Sequence, residues 1–152
     1  MPNADSIPLN NVTTYLRIVL QRRSGKDRIL VLDDEKDIAI TLRVALEQIG
    51  FDVDVFTDPR LALTKFSAGR YRLVISDIRM TLMSGLDFVR RIQPIDSDVK
   101  IVLMTAFDLD RNEFDEILPM TRVDALIRKP VTMSKLENAV ISLVGASMKP
   151  RQ

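Results

Sequence analysis

The feature that most constrains the fold of this sequence is a regular alternation of short apolar runs with segments of helical periodicity. Three of the runs, Ile29–Leu32, Leu73–Ile75 and Ile101–Met104, are continuous, which is typical of strands buried on both faces of a parallel sheet. Shorter runs at 53–56 and Ala125–Ile127 bring the number of predicted strands to five. Because a helical segment follows each strand, the pattern predicts an α/β fold with a doubly wound, five-stranded parallel sheet.

The predicted helices are bounded by residues that commonly begin or end a helix. Gly50 follows the first helical segment, Asp58 and Pro59 begin the second, and Ser134 with Glu137 forms a capping box at the start of the last. In such a fold the functional site lies beyond the carboxyl ends of the strands. The predicted helices span 36–49, Pro59 to a stop at Gly69, 86–93, Asp110 to Pro119, and 134–144.

Two absences from the composition limit the chemistry that such a site could perform. The 152 residues include no cysteine and no histidine. Disulfides, thiolate nucleophiles, serine–histidine–aspartate triads and zinc sites built from cysteine or histidine are therefore excluded. Any metal must be held by oxygen ligands, which favours Mg²⁺, Ca²⁺ or Mn²⁺.

Polar residues stand where four of the five predicted strands end. Asp33 and Asp34 follow the first strand, Asp77 the third, Thr105 the fourth and Lys129 the fifth. If the first and third strands are neighbours, three carboxylates converge, and a bound Mg²⁺ would relieve their repulsion. A carboxylate, a hydroxyl, an ammonium group and a metal in one pocket meet the requirements of phosphoryl transfer to an aspartate. Each residue taken alone could instead be a turn former or a helix N-cap.

The same strand ends carry four short motifs in a fixed order. They are Leu30–Glu35, Val74–Met80 followed by Gly85, Leu103–Ala106, and Arg128–Pro130. Each motif alone is weakly specific, but together they resemble the receiver domain of two-component response regulators. The resemblance implies a flavodoxin-like receiver fold over residues 28–145 and a protein that is phosphorylated on an aspartate.

The resemblance implies a role for each carboxylate. Asp77 would be the phosphoacceptor, and Asp34 would bind Mg²⁺, or alternatively Mn²⁺, directly. Asp33 would help to bind this ion directly or through water. The backbone carbonyl of Arg79 would complete the protein ligands of a single divalent cofactor.

It likewise implies roles at the ends of the fourth and fifth strands. Thr105 would be the switch hydroxyl that moves to the phosphoryl oxygen, with Ala106 beside it in the phosphoryl-binding segment. Lys129 would pair with the phosphoryl group or with the phosphoacceptor carboxylate. The bond from Lys129 to Pro130 is expected to be cis, an isomer that is only slightly disfavoured before proline.

Four positions distinguish this chain within the family pattern. Thr81 stands where a proline usually follows the methionine, and Leu126 occupies the position of the usual switch aromatic. The second replacement removes the aromatic ring of the usual rotamer switch. The resemblance implies that Arg79 and Phe107 occupy positions that influence loss of the phosphoryl group in the family. Neither side chain is a carboxylate or an amide that could orient an attacking water, so we expect slow autodephosphorylation. The alternative is that both side chains only rim the pocket.

The expected partners follow largely from the missing histidine. A receiver without histidine needs the phosphohistidine of another protein, either a histidine kinase or a phosphotransfer protein. Only eight residues follow Val144, so we expect a stand-alone receiver that acts through a downstream protein and has no DNA-binding domain. Residues 29–144 hold 15 basic and 19 acidic residues, a net charge of −4 that disfavours direct nucleic-acid binding. We further expect a cytoplasmic protein without a membrane span that is not an enzyme beyond its own phosphorylation and dephosphorylation.

The chain ends lie outside the resemblance. Residues 1–27 form an N-terminal extension in which an apolar stripe over 12–23 predicts an amphipathic helix, and residues 146–152 form a short basic tail. This helix could dock on its own domain, an arrangement that we slightly favour. A homodimer or partner contact, a membrane-surface helix and a frayed tail are the alternatives.

Two other functions stay open at this point. A degenerate receiver would fold in the same way and act as a phosphorylation-independent interaction module, although no acid or lysine of the motifs is lost. A flavin or nucleotide binder would need a glycine- or hydroxyl-rich phosphate loop after the first strand. The residues there, 33–37, are mostly acidic, and the chain contains neither G-x-G-x-x-G nor a Walker motif.

Overall fold

The computed structural model describes residues 27–106 and 121–147, with side chains as far as Val144. The helices predicted at 12–23 and 110–119 lie outside these ranges. No helix within the described ranges is long and apolar enough to cross a membrane. The described elements are β1 (Arg28–Leu32), α1 (Lys36–Gln48), β2 (Asp52–Phe56), α2 (Pro59–Lys65), β3 (Leu73–Asp77), α3 (Gly85–Ile92), β4 (Lys100–Thr105), β5 (Ala125–Arg128) and α4 (Met133–Ser147).

The five strands form one parallel sheet in the order β2-β1-β3-β4-β5, which confirms the predicted architecture. β1 and β3 are neighbours, so the condition for bringing their terminal carboxylates together is met. Leu32 pairs with Ser76. One step further along both strands, Asp33 and Asp77 therefore stand side by side at the carboxyl edge of the sheet.

The inner strands are buried on both faces, because successive side chains of a strand point to opposite sides of the sheet. On β1, Ile29 and Val31 share one apolar core with residues of α1 and α4. Leu30 and Leu32 share a second core with residues of α2 and α3. All four side chains are fully buried. This double burial is the physical reason for the continuous apolar runs in the sequence.

The first helix ends as predicted, whereas the second ends early. Gly50 follows α1 with φ at 108°, a backbone conformation that favours glycine. α2 stops at Lys65 and does not continue to Gly69. The reason is that Phe66 has extended backbone and turns its ring onto Tyr71, with 5.8 Å between the ring centroids.

The last helix begins before the predicted capping box. α4 starts at Met133, and the hydroxyl of Thr132 accepts a hydrogen bond of 3.2 Å from the Lys135 N–H. Thr132 is therefore the N-cap, and Ser134 lies within the first turn. The prediction that Ser134 and Glu137 cap this helix is wrong, because the helix already begins at Met133 and Ser134 lies inside it.

Candidate functional site at the carboxyl edge of the sheet

Three carboxylates meet beyond the carboxyl ends of β1 and β3. Asp33, Asp34 and Asp77 each offer one oxygen, and these three oxygens lie within 4.8 Å of one another. Asp33 is fully buried and Asp77 is 7% exposed, while Asp34 is the most exposed of the three. Oxygens that bind one Mg²⁺ at about 2.1 Å lie up to about 4 Å apart. The cluster therefore fits a single Mg²⁺ after small side-chain shifts, and its donors are all of the oxygen type that this ion prefers.

Lys129 brings a positive charge to this cluster. Its Nζ donates to Asp33 Oδ2 at 3.0 Å and to Asp77 Oδ2 at 3.3 Å. The Lys129 side chain is only 13% exposed, so water screens these two ion pairs weakly. Its backbone N–H donates to the Thr105 carbonyl at 2.7 Å, which holds the end of β5 against the end of β4. The peptide bond from Lys129 to Pro130 is cis.

Burial and charge act in opposite directions on the pKa values of this ion pair. Burial is the largest influence on Asp77 and raises the pKa of its carboxyl, and the charge of Lys129 only partly offsets this rise. For Lys129, burial alone would lower the pKa. The hydrogen bond and charge of Asp33, together with Asp77, outweigh burial and hold the pKa of the lysine above its usual value. Lys129 therefore stays a cation beside the carboxylates at neutral pH.

Hydrogen bonds leave one oxygen available on two of the three carboxylates. Asp33 is engaged at both oxygens, because its Oδ1 accepts from the Glu35 N–H at 2.9 Å and its Oδ2 accepts from the lysine. Asp34 Oδ2 accepts from the backbone N–H and the hydroxyl of Thr81 at 3.2 and 3.0 Å. Within the described ranges, Oδ1 of Asp34 and Oδ1 of Asp77 accept no hydrogen bond. These two oxygens can bind a ligand without breaking an existing contact.

The predicted switch segment lies at the end of β4. Met104 pairs with Asp77 in the sheet, so Thr105 lies one residue further toward the carboxyl edge than Asp77. Thr105 is 5% exposed, whereas Ala106 after it is exposed. The structure thus places Thr105 at the correct edge of the sheet, and its role as a switch hydroxyl stays a prediction.

The positions predicted to modulate the site are more peripheral. Arg79 is exposed in the loop after β3, and Leu126 is 43% exposed on β5, the edge strand. Phe107 lies outside the described residues. The metal-binding role of the Arg79 carbonyl and the roles of all three positions stay predictions.

Sequence reasoning missed two contacts made by the loop between β3 and α3. The first is the pair of hydrogen bonds from Thr81 to Asp34. The only sequence signal for it was that Thr81 stands where the family usually has a proline. The second is the close approach of Gly85 to Asp77. A β-carbon at Gly85 would overlap the Asp77 carbonyl oxygen and lie 3.0 Å from both its carbon and Ser76 Oγ. The presence of a glycine in the motif was the signal for this approach.

Comparisons with known proteins agree with this geometry. Residues 29–141 match the family described as response regulator receiver domain. The Brucella abortus response regulator receiver protein CpdR is 30% identical over 120 residues, covering 79% of this chain and 98% of that protein. The Enterococcus faecalis regulatory protein VanRB is 34% identical over 123 residues, covering 79% of this chain and 53% of that protein. This chain thus spans about half the length of VanRB, and it spans a smaller part of several other relatives.

Solved structures share this fold. The response regulator protein TrrA from Thermotoga maritima, in complex with Mg(2+)-BeF, matches with a TM-score of 0.66 and 32% identity, covering 77% of this chain and 98% of that one. The family match extends over most of the sequence and includes all four motif-bearing strand ends. The chain therefore belongs to the response regulator receiver domain family.

Proposed function

We propose that this chain is a phosphoacceptor signalling protein that receives a phosphoryl group on Asp77 from a phosphohistidine of a histidine kinase or phosphotransfer protein. The observation that carries the proposal is the position of Asp77, paired with Lys129 and within 4.8 Å of oxygens of Asp33 and Asp34. Membership in the receiver family supports a partner of this kind. The donor imidazole lies outside these 152 residues, because they contain no histidine.

The residues of the site divide the chemistry between them. Asp77 Oδ1 attacks the phosphorus atom, a P–O bond forms, and the P–N bond to the donor imidazole breaks. The imidazole nitrogen keeps the electron pair of the broken bond and then takes a proton from solvent. Lys129 stabilises the negative charge on the equatorial oxygens during the transfer. When bound by the three carboxylates and the Arg79 carbonyl, Mg²⁺ (or Mn²⁺) supplies further neutralisation of the phosphoryl oxygens.

Phosphorylation of Asp77 changes the surface of the protein. In this proposal Thr105 turns toward the phosphoryl oxygen, and the repacking around it changes a surface that binds a downstream protein. The chain modifies only itself, since the phosphoryl group stays on its own carboxylate until water removes it. Arg79 and Phe107 offer no carboxylate or amide to orient that water, so the phosphorylated state is long-lived.

Intact-mass spectrometry tests the proposal directly. Incubation of the chain with acetyl phosphate and Mg²⁺ should add one phosphoryl group, and excess EDTA should prevent the addition. Asp77→Asn should abolish the mass increase. Asp87→Asn is the matched control, because Asp87 is 54% exposed in the first turn of α3 and takes no part in the cluster. This variant should be phosphorylated like the wild type.

The outcomes separate the proposal from its rival. A wild-type chain that gains no mass would favour a degenerate receiver that acts through binding alone. A mass increase that persists in Asp77→Asn would mean that another residue is the phosphoacceptor.

A further inference from the structure

The two bonds from Thr81 to Asp34 link the loop after β1 to the loop after β3. Thr81 donates both its backbone N–H and its hydroxyl to the same carboxylate oxygen, Oδ2, at 3.2 and 3.0 Å. The two residues are 47 positions apart in the sequence. This contact therefore belongs to the tertiary structure of the site and does not arise from local turn geometry.

Thr81 donates hydrogen bonds to Asp34, as Lys129 does to the other two carboxylates. Lys129 Nζ bonds to Asp33 and Asp77, and within the described ranges it makes no hydrogen bond to Asp34. The donors that fix the Asp34 side chain in these ranges are thus those of Thr81 alone. Because both occupy Oδ2, the side chain is oriented while Oδ1 stays available.

A proline at this position could make neither contact. Proline has no backbone N–H and no hydroxyl, so a chain with the usual family residue would leave this carboxylate without either donor. Carboxylates that bind metals are commonly held by hydrogen bonds from neighbouring groups, and loss of such a partner weakens metal binding. The contact is therefore a property of this sequence that the family motif does not supply.

We propose that Thr81 is a positioning residue that orients Asp34 so that its free oxygen, Oδ1, binds the divalent cation. This inference rests on the proposed function, since it takes Asp34 to be a metal ligand. Thr81 itself contacts neither the cation nor the phosphoryl group. Thr81 increases the affinity for the metal, because an Asp34 side chain that is already held in place loses less conformational freedom when it binds the cation.

Isothermal titration of the full chain with Mg²⁺ alone tests this role. Thr81→Val keeps the branched shape and the backbone N–H but removes the hydroxyl, and its Kd should rise about tenfold. Thr81→Pro removes both donors and should weaken binding further. Thr81→Ser keeps the hydroxyl and should bind Mg²⁺ like the wild type. Thr64→Val is the control, because the exposed Thr64 hydroxyl donates to the Leu61 carbonyl on α2, outside the carboxylate cluster.

Each outcome decides the question. Weaker binding by Thr81→Val with recovery in Thr81→Ser supports the positioning role, provided that thermal unfolding in EDTA shows both variants folded. Equal binding by Thr81→Val overturns it, and tighter binding would mean that Thr81 competes with the metal for Asp34. If the wild type binds Mg²⁺ and is phosphorylated but the variants match it, only this inference fails. If the wild type binds no Mg²⁺, the metal-dependent function fails with it.

Discussion

Replacing Gly85 by alanine tests how tightly the loop after β3 is packed against the phosphoacceptor strand. Gly85 is buried at the first position of α3, and its N–H donates to the Ile78 carbonyl at 2.8 Å. An added methyl group would overlap the carbonyl oxygen of Asp77. Asp77 cannot move aside easily, because it is the last residue of β3 and pairs with Met104 on β4. We therefore expect the substitution to destabilise the fold.

The expected loss can be set against the helix preference of alanine. In a helix, alanine is favoured over glycine by about 1 kcal/mol, so without the overlap this substitution would stabilise α3. Overpacking of a filled site costs about 1–3 kcal/mol and more where the obstacle is backbone. Because the obstacle here is backbone, the upper figure of about 3 kcal/mol applies. Subtracting the helix preference of about 1 kcal/mol leaves a net loss of about 2 kcal/mol in free energy of unfolding, which corresponds to a fall in Tm of about 6 °C for a chain of this size.

Thermal unfolding followed by circular dichroism measures this loss, with Gly69→Ala as the matched control. Gly69 has φ at 78°, but a β-carbon there meets nothing within 4 Å. Its substitution therefore costs only the left-handed backbone strain of about 1 kcal/mol. Gly85→Ala should unfold at a lower temperature than Gly69→Ala. A Gly85→Ala protein as stable as the wild type would refute the reasoning.

Two other predictions concern buried groups away from the carboxylate cluster. Burial raises the pKa of Asp27 above 3.8, and the charge of Arg72, with its Nε 2.9 Å away, offsets this only in part. The stability that protonated Asp27 provides is present below pH 3.8 and is lost as the pH rises through the raised pKa. Asparagine stays neutral, so the stability of Asp27→Asn relative to the wild type should increase as the pH rises across that interval, as measured by urea unfolding. A stability difference that does not change with pH would contradict this. On β5, Ile127→Ala should cost about 2–5 kcal/mol because Ile127 is 5% exposed, whereas Leu126→Ala should cost under about 1 kcal/mol because Leu126 is 43% exposed. Equal losses in urea unfolding would count against the orientation of this strand.

The sheet could be predicted from the sequence because burial on both faces leaves a clear pattern. Ile29–Leu32 is apolar at every position since α1 and α4 cover one face of β1 while α2 and α3 cover the other. The carboxyl edge could be predicted for the same reason, because the end of a buried strand is where polar residues resume. Asp33, Asp77 and Lys129 were placed together by this argument, although their chemical roles stay predictions.

Helix ends were less predictable because the local signal can favour the wrong one of two neighbouring hydroxyls. Thr132 and Ser134 are both good N-caps, and the local signal favours Ser134, because only Ser134 is followed three residues later by a glutamate, Glu137. Packing decides the matter, since Leu136 is buried in the core below the sheet and its N–H donates to the Thr132 carbonyl at 3.0 Å. A helix that started after Ser134 would not include this bond.

The path of the loop between β3 and α3 depends on a contact that a strand-and-helix pattern does not contain. Only a residue without a side chain allows α3 to begin directly against the Asp77 carbonyl, and Gly85 meets this requirement. The bond from the Gly85 N–H to the Ile78 carbonyl then closes the loop, and Thr81 lies near its middle. Closure of this loop is consistent with the reach of Thr81 to Asp34, which lies after a different strand. Glycine and threonine are common in loops, so their presence in the sequence does not predict contacts with the site. These contacts are apparent only in the structure, where the loop after β1 lies beside the loop after β3.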